Sequence, residues 1–474
     1  MCELGKTGFL LEIMDIWLYN EYTMFKKILI ANRGEIAIRV IRACKEMGIG
    51  TVAVYSVADK DGLWVSFADE SVCIGGAKSK DSYLNVNAVI SAAVITNAEA
   101  IHPGYGFLSE NADFARKCAE NNIVFIGPSP DVIDKMGDKN TAKITMKKAG
   151  VPVIPGCELV TDIKHGREEA KKIGYPLMIK ARSGGGGRGI RIVTRDRDFD
   201  SAFQMASSEA QSCFGDGGVY MEKYLTDVKH IEMQIIGDKF GNVVCMGERD
   251  CSMQRRNQKL IEEAPANIPA MVRNRMIQAS VKAGKAVNYI GVGTVEYLYT
   301  KDGKFYFMEM NTRLQVEHPV TEMVVQKDLV KWQIRVAAGN KLNFNQSQIK
   351  TRGYSIECRI NNENLLTNVA GAPVQNKVKM LHVPNGPWVR FDTAIYSGYT
   401  ISPFYDSMIG KLIVWSSERD KAIRKMKAAL CELIIEGVTN NVELQYELMD
   451  TLEFDTSIYT TDFVNRYLEK RGKR

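Results

Sequence analysis

Residues 305–322 read FYFMEMNTRLQVEHPVTE, and from Glu309 onward every second side chain can do chemistry: Glu309, Asn311, Arg313, Gln315 and Glu317. Successive side chains of a strand point to opposite faces. A chain that stays extended here therefore shows all five on one face and turns Met310, Leu314 and Val316 toward a core. Glu309 and Asn311 offer oxygen ligands to a hard cation such as Mg²⁺. Arg313 is a forked donor matched to a small planar oxyanion, and Glu317 is a candidate base. The competing reading is an amphipathic strand with a solvated outer face. Such a face mixes in Lys, Ser and Thr, whereas this one sets a lone cation between two acids. Glu296 faces Glu309 across a hairpin closed at Asp302-Gly303. The two carboxylates with Asn311 make a two-cation site of the phosphoryl-transfer kind.

A second constellation lies upstream. A strand at 176–180 delivers Lys180, and then residues 183–189 read SGGGGRG, with five glycines in seven residues. Glycines let backbone N–H groups close on phosphate oxygens. The lysine precedes the glycines, so this is not G-x-x-x-x-G-K-[ST]. The strand at 190–193 makes it a hairpin tip able to fold down as a lid; a flexible glycine turn is the alternative. Residues 219–225 (VYMEKYL) form a strand whose end, Glu222-Lys223-Tyr224-Leu225, presents backbone groups to an adenine edge. In 230–236, His230, Glu232 and Gln234 share one face and Ile231, Met233 and Ile235 the other; His230 is equally well a structural histidine. Residues 248–265, ERDCSMQRRNQKLIEEAP, read by default as a solvated loop, yet Gln254, Arg255, Arg256, Gln258 and Lys259 gather donors suited to an anion.

These groups need a scaffold. Short apolar runs at 27–31, 51–55, 72–74, 100–101 and 123–126 alternate with helical spacing at 35–47, 84–96 and 111–121, and Gly48 caps the first helix. That alternation means a doubly wound parallel sheet, although G-x-G-x-x-G is missing after the first strand. Beyond a break at 127–130, residues 131–136 and 141–149 are helical and 151–156 form a hinge. Farther on, 355–360 is a strand with Glu357 and Arg359 on one face, 421–433 is a helix, and the tail from 440 is mostly helical.

A chain of 474 residues exceeds one core and implies about two to four domains. The formal charge of +6, without a long Lys/Arg block, points away from nucleic acid, and no run of about 18 apolar residues points to a membrane. Ten cysteines without a C-x-x-C pair read as reduced thiols in a cytoplasmic protein, and five scattered histidines offer no obvious metal cluster. Residues 1–23 carry Glu3, Glu12 and Asp15, which makes a poor signal peptide. They read as an alternative upstream start or a floppy appendage ahead of Met24.

The order of elements, a lysine strand and glycine hairpin, an adenine-facing strand, then paired acids on a later hairpin, resembles the ATP-grasp superfamily. From residue 26 almost to the C-terminus, IANRGEIA, HPGYGFLSEN, GGGGRG, MEKYL, ERDCSMQRR, EMNTRLQVEHPVTE, ECRIN and YDSMIGK are similar to signatures of the biotin carboxylases. The resemblance implies an ATP-grasp fold, α/β and α+β. Its parts are a doubly wound domain at 24–126, a linker at 127–153, a glycine-hairpin lid at 154–224 and a mixed catalytic domain at 225–474. It implies that Lys139 and Lys180 hold ATP phosphates under Gly186 and Gly187. Glu222, Lys223, Tyr224 and Leu225 would contact adenine, His230 the ribose side, and Gln254 the nucleotide. Glu296, Glu309 and Asn311 would bind Mg²⁺ or Mn²⁺. Lys259, Arg313, Gln315 and Val316 would bind bicarbonate, Glu317 would deprotonate it, Arg359 would steady the biotin enolate, and Tyr105 would line the biotin pocket.

In the implied reaction, deprotonated bicarbonate attacks the γ-phosphate of ATP to give carboxyphosphate. This yields CO₂ and phosphate, and the phosphate takes the N1′ proton of biotin. No Met-Lys-Met segment occurs, so biotin is expected on a separate carrier protein, with carboxyltransferase subunits as further partners and a homodimer as the assembly. The chain departs from the family at Asn257, where histidine is usual, at Ser183, and at 371–374. Asparagine still donates and accepts but carries no proton charge. The rivals are the equivalent subunit of a pyruvate or other acyl-CoA carboxylase, another carboxylate–amine ligase, and a non-catalytic ATP-binding scaffold. The last predicts lost acids, whereas Glu296, Glu309 and Glu317 are all present.

Overall fold

The computed structural model describes residues 24–157, 160, 162–181, 190–214, 218–363 and 375–472. The expectations for 1–23, for the glycine run with Ser183, Gly186 and Gly187, and for 371–374 lie outside those residues. The chain begins with β1 (Lys27–Ile30), α1 (Gly34–Glu46), β2 (Gly50–Tyr55), α2 (Leu63–Phe67), β3 (Glu70–Cys73), α3 (Val86–Ile95), β4 (Ala100–His102), α4 (Ala112–Glu120) and β5 (Val124–Phe125). The strands form one sheet in the order β3-β2-β1-β4-β5, every pair parallel. The doubly wound sheet read from the sequence is therefore present, with α2 as an addition.

Strand order reverses between β1 and β4, and ligands bind outside the carboxyl ends of strands at such a point. The two turns there are tied together. Asn32 Nδ2 donates to the carbonyls of Pro103 at 2.7 Å and Tyr105 at 2.8 Å. Gly104 has φ +63°, and a Cβ there would lie 2.9 Å from Asn32 Nδ2, so the close approach needs glycine.

Next come α5 (Pro130–Gly137), α6 (Lys139–Lys148), α7 (Ile163–Ile173), β6 (Leu177–Ala181), β7 (Ile190–Val193), α8 (Phe199–Phe214) and β8 (Val219–Lys223). β6 pairs antiparallel with both β7 and β8, as the hairpin reading required. Leu177, Ile179, Phe199, Phe203 and Met221 make a small core of their own.

The rest contains β9 (Lys229–Gly237), β10 (Val243–Arg255), β11 (Gln258–Ala264), α9 (Ala270–Ala286), β12 (Gly291–Tyr299), β13 (Phe305–Asn311), α10 (His318–Val325), α11 (Leu329–Ala337), β14 (Tyr354–Asn361), β15 (Asn376–His382), β16 (Val389–Thr393), β17 (Met408–Ser416), α12 (Arg419–Glu432), β18 (Ile434–Val438), α13 (Val442–Met449), α14 (Leu452–Asp455) and α15 (Phe463–Arg471). Eight strands form an antiparallel sheet in the order β13-β12-β9-β10-β11-β14-β17-β16. Period-two alternation sorts β9: Ile231, Met233 and Ile235 pack with Met136, Met146 and Met276 of α5, α6 and α9. His230, Glu232 and Gln234 take the opposite face, beneath α10.

Two expectations are corrected. Residues 248–265 are not a solvated loop: they lie in β10 and β11, which turn at Arg256 (φ +48°) and Asn257 (φ +64°). Their charges are met by partners on other strands and on α9 and α12, so Glu248, Arg249, Asp250, Glu262 and Glu263 are all buried. The extended run from Glu309 also stops early. β13 ends at Asn311, residues 312–317 bend and turn, and α10 opens at His318 with Glu317 at its N-cap. Pro319 in the first turn favours that helix start. Met310 and Leu314 do enter the core, but Val316 is half-buried and lines the cavity described below.

A bulge in β10 sets its register. Before it Cys245 opposes Ile235; after it Glu248 opposes Met233 and Arg249 opposes Glu232. The extra residue lies beside Gly247, whose φ is +102°. Without it Glu248 would face Glu232, because a one-residue slip exchanges every facing pair. No helix among the described residues is long and apolar enough to cross a membrane. Gly247→Ala is expected to lower stability by about 1–3 kcal/mol through strain at that φ. A urea melt with unchanged midpoint would show that the bulge does not depend on glycine.

Candidate active site

The register places one row of charge across four adjacent strands. Arg249 of β10 opposes Glu232 of β9, Glu232 opposes Glu296 of β12, and Glu296 opposes Glu309 of β13. Directly opposed like charges are destabilising, so the neighbours must supply cations. Arg249 has no exposed surface. Its Nε pairs with Glu232. Its two Nη atoms donate to Gln234 at 2.7 Å, Thr321 at 2.8 Å, Thr294 at 3.1 Å and Gln315 at 2.7 Å. All five donors of the guanidinium are used.

Lys259 Nζ is shared among three acids: Glu232 at 2.6 Å, Glu296 at 3.4 Å and Glu317. Burial alone would raise the Glu296 carboxyl, but Lys259 and His230 hold it below the usual range. His230 Nε2 lies 2.8 Å from Glu296 Oε2. The amides of Asn311 and Gln315 donate to Glu296 Oε1 at 2.8 and 2.6 Å. Glu309 differs. Burial and then the Glu296 charge raise its proton affinity, and no cation pairs with it among the described residues. A half-buried acid opposite an ionised acid suits a cation bridging the two, so the residues fit a hard metal ion. Asn311 would have to turn its amide to join, because its Oδ1 accepts from Arg313 at 2.9 Å.

The turn after β13 brings the remaining groups to the same place. Arg313 Nε donates to Glu110 Oε2 at 2.8 Å, a contact between residues 203 positions apart that the sequence reading missed. Glu317 is fully buried; burial would raise it, yet Lys259, Arg359 and Arg249 hold it well below the carboxylate range. Arg359 Nη2 donates to Glu317 Oε2 at 2.9 Å and its Nε to Glu262 Oε1 at 2.6 Å. Burial pushes Glu262 up to about 7 against the pull of Arg359. The Tyr105 hydroxyl donates to Glu35.

One cavity of about 1100 Å³ is lined by Tyr105, Lys139, His230, Gln254, Lys259, Glu296, Glu309, Asn311, Arg313, Gln315, Val316, Glu317 and Arg359. Arg255 and Arg256 do not line it; Asn257 and Gln258, in and beside the turn, do. The other candidates sit on the small sheet. Lys180 and Lys143 each reach Glu222 at 2.6 Å. Lys223 Nζ is held by the carbonyl of Tyr175 at 2.8 Å, and the Tyr224 N–H donates to Pro176 at 3.0 Å. Tyr224 and Leu225 are half-buried just after β8. Sequence reasoning missed Arg249, Glu110, Glu262 and Lys411. Only Lys411 left a signal, as the lone charge inside the apolar run MIGKLIVW of β17; Arg249 stands between Glu248 and Asp250 in a charged stretch.

Comparison with known proteins agrees. Residues 24–133 match the family model for the biotin carboxylase N-terminal domain and 357–466 that for its C-terminal domain; 138–345 match the ATP-binding domain of the carbamoyl-phosphate synthase L chain. The chain belongs to the biotin carboxylase family. It is 51% identical over 449 residues to biotin carboxylase 1 of Bacillus subtilis, covering 94% of this chain and 99% of that protein. A biotin carboxylase from Campylobacter jejuni, solved as a β,γ-ATP complex, superposes with a TM-score of 0.86 at 50% identity, covering 94% and 100% of the two chains. The biotin carboxylase domain dimer of Hydrogenobacter thermophilus 2-oxoglutarate carboxylase, solved with MgADP, ADP and bicarbonate, gives 0.85 at 47% identity, covering 94% and 98%. The ATP-grasp fold and an ATP-dependent ligase activity follow for this chain.

Arg249→Met leaves Glu232 buried without its guanidinium and is expected to cost about 3–5 kcal/mol. A denaturant melt close to wild type would show that the row does not need that charge. Asn257→His is expected to leave bicarbonate-dependent ADP release unchanged or higher, since histidine also tolerates a left-handed φ. A large loss would show that the amide makes a contact histidine cannot replace.

Proposed function

We propose that the cavity carries out MgATP- and bicarbonate-dependent carboxylation of biotin N1′ as the first half-reaction of an acetyl-CoA carboxylase. The observation that carries this is convergence. Paired acids able to hold nucleotide-bound metal, donors for a small anion, and an arginine beside Tyr105 all face one volume. Lys139 and Lys180 hold ATP phosphates, with Gly186 and Gly187 over them. Glu222, Lys223, Tyr224 and Leu225 serve the adenine, and His230 and Gln254 the nucleotide. Magnesium at Glu296, Glu309 and Asn311 would offset charge on the phosphates.

Lys259, Arg313, Gln315 and the Val316 N–H bind bicarbonate, and Glu317 takes its proton. In the present geometry Glu317 is ionised, as a base must be at the start, but two cations hold it and keep its proton affinity low. When bicarbonate shares Lys259 and biotin shares Arg359, those charges are drawn off and Glu317 becomes a better base. Arg359 then faces the developing enolate oxygen with donors already oriented by Glu262. Tyr105 closes the biotin side.

We further propose the domain division at 24–126, 127–153, 154–224 and 225–474, supported by the separate sheets they contain. Partners are a biotin carboxyl carrier protein, carboxyltransferase subunits and a second copy of the chain. The dimer described for the H. thermophilus domain supports the last. A cytoplasmic, reducing compartment is supported by the eight free cysteines among the described residues.

The test is ADP release from purified protein with magnesium, bicarbonate and free biotin. Biotin-stimulated turnover is expected; amine-dependent turnover without biotin would favour another carboxylate–amine ligase. Arg359→Ala is expected to lower biotin carboxylation by about 10²–10³ in kcat while ATP binding stays near wild type. Equal loss of both would mean that Arg359 supports the fold.

A further inference from the structure

Two carbonyls of the turn between β13 and α10 are held from behind. His318 Nδ1 lies 2.8 Å from the Gln315 oxygen, and the His318 backbone N–H donates to the same oxygen at 3.3 Å. Lys411 Nζ, from β17, donates to the Val316 oxygen at 2.8 Å and lies 3.2 Å from Glu35 Oε1. His318 and Lys411 have no exposed surface, and neither lines the cavity. A carbonyl oxygen can only accept, so Nδ1 of His318 carries the proton and Nε2 is an acceptor. Nε2 has no partner among the described residues, so among them the Gln315 carbonyl alone sets this tautomer. Burial, then Lys411, Arg39 and Arg390, hold the ring well below the ordinary histidine range, and it stays neutral.

The peptide unit is planar and trans, and the cis bonds described are those before Pro176 and Pro265. In a trans peptide the C=O and the following N–H point opposite ways. Fixing the Gln315 oxygen toward His318 therefore turns the Val316 N–H away from the core. Val316 lines the cavity, and no acceptor for its N–H is found among the described residues. An unpaired backbone donor beside a cavity is costly unless a ligand or water takes it.

We propose that His318 is a positioning residue: as the Nδ1–H tautomer it holds the Gln315 carbonyl and so aims the Val316 N–H at the bicarbonate, while Lys411 locks the next carbonyl of the same turn. This rests on the bicarbonate role proposed above for Val316. His318 touches no substrate and moves no proton. Its contribution is the orientation of one donor, the kind of preorganisation that electrostatic stabilisation of an anion requires.

Asparagine and leucine separate this role from packing. His318→Asn keeps an N–H donor close to the place of Nδ1; His318→Leu fills the site without one. The readouts are KM for bicarbonate, KM for MgATP and melting temperature. In parallel, the Val316 amide resonance of valine-labelled wild type is followed on adding bicarbonate with MgADP. His318→Leu is expected to raise the bicarbonate KM roughly ten-fold or more with the MgATP KM unchanged. His318→Asn is expected to stay within about two-fold of wild type, because its donor remains in place. A leucine variant with wild-type bicarbonate KM, or with both KM values raised alike, overturns the proposal. So does an asparagine variant that loses bicarbonate affinity, and this arm decides alone should the leucine variant not fold. A Val316 resonance that ignores bicarbonate means instead that the reading of the anion site has failed.

Discussion

The structure is arranged around a concentration of buried negative charge. Glu232, Glu296 and Glu317 are buried and Glu309 half-buried; the last three line one cavity, and Glu232 opposes Glu296 beside it. Taking each ion out of water costs several kcal/mol unless it is paired and hydrogen-bonded. Arg249 meets that need at one end, and in doing so ties β9, β10, β12, the turn after β13 and α10 through a single side chain. Lys259 meets it in the middle. Glu309, at the far end, has no paired cation among the described residues, and that asymmetry marks where positive charge from outside is wanted.

Sharing has a second consequence. Glu317 is held by Lys259 on one side, where the proposed anion would sit, and by Arg359 on the other, where the proposed biotin would sit. Whatever draws either cation away changes the same carboxylate. Under the proposed roles, the base would be coupled to both substrates by ordinary electrostatics, with no moving part beyond two side chains. Arg359 itself stays anchored by Glu262, so it can shift toward a new oxyanion without losing its place.

The cavity also joins two separately built parts. The crevice at the β1/β4 switch point supplies Asn32, Glu35 and Tyr105, and the loop after β4 continues to Glu110, which grips Arg313. Lys411 of the large sheet reaches Glu35 and the Val316 carbonyl together. Buried ion pairs of Arg39 with Glu322 and of Arg390 with Glu322 and Asp392 extend the same seam. Misplacing either part would leave charges unmatched, so the relative placement of the two parts is strongly specified.

Much of this was legible in one dimension, for local reasons. Short apolar runs alternating with helical spacing determined the parallel sheet. The hairpin at Asp302-Gly303 brought Glu296 and Glu309 onto adjacent strands, although the strands meet as Tyr299 opposite Phe305 and a register shift between Glu296 and Tyr297 sets the two acids face to face. The side chains that line the cavity were recognisable as types at a spacing. What the tertiary structure alone decided was where buried charge finds its partner. Residues 248–265 looked solvated because Arg249 and Lys259 are neutralised by acids on other strands, and Glu110 reaches Arg313 across 203 positions. The bulge at Gly247 chose a guanidinium over a carboxylate opposite Glu232. Arg313, Gln315 and Glu317 reach the cavity from a turn, not from a continued strand. Local patterns carry backbone periodicity, which a short window can reveal. Charge pairing and register depend on which distant strand lies alongside, and only the folded chain settles that.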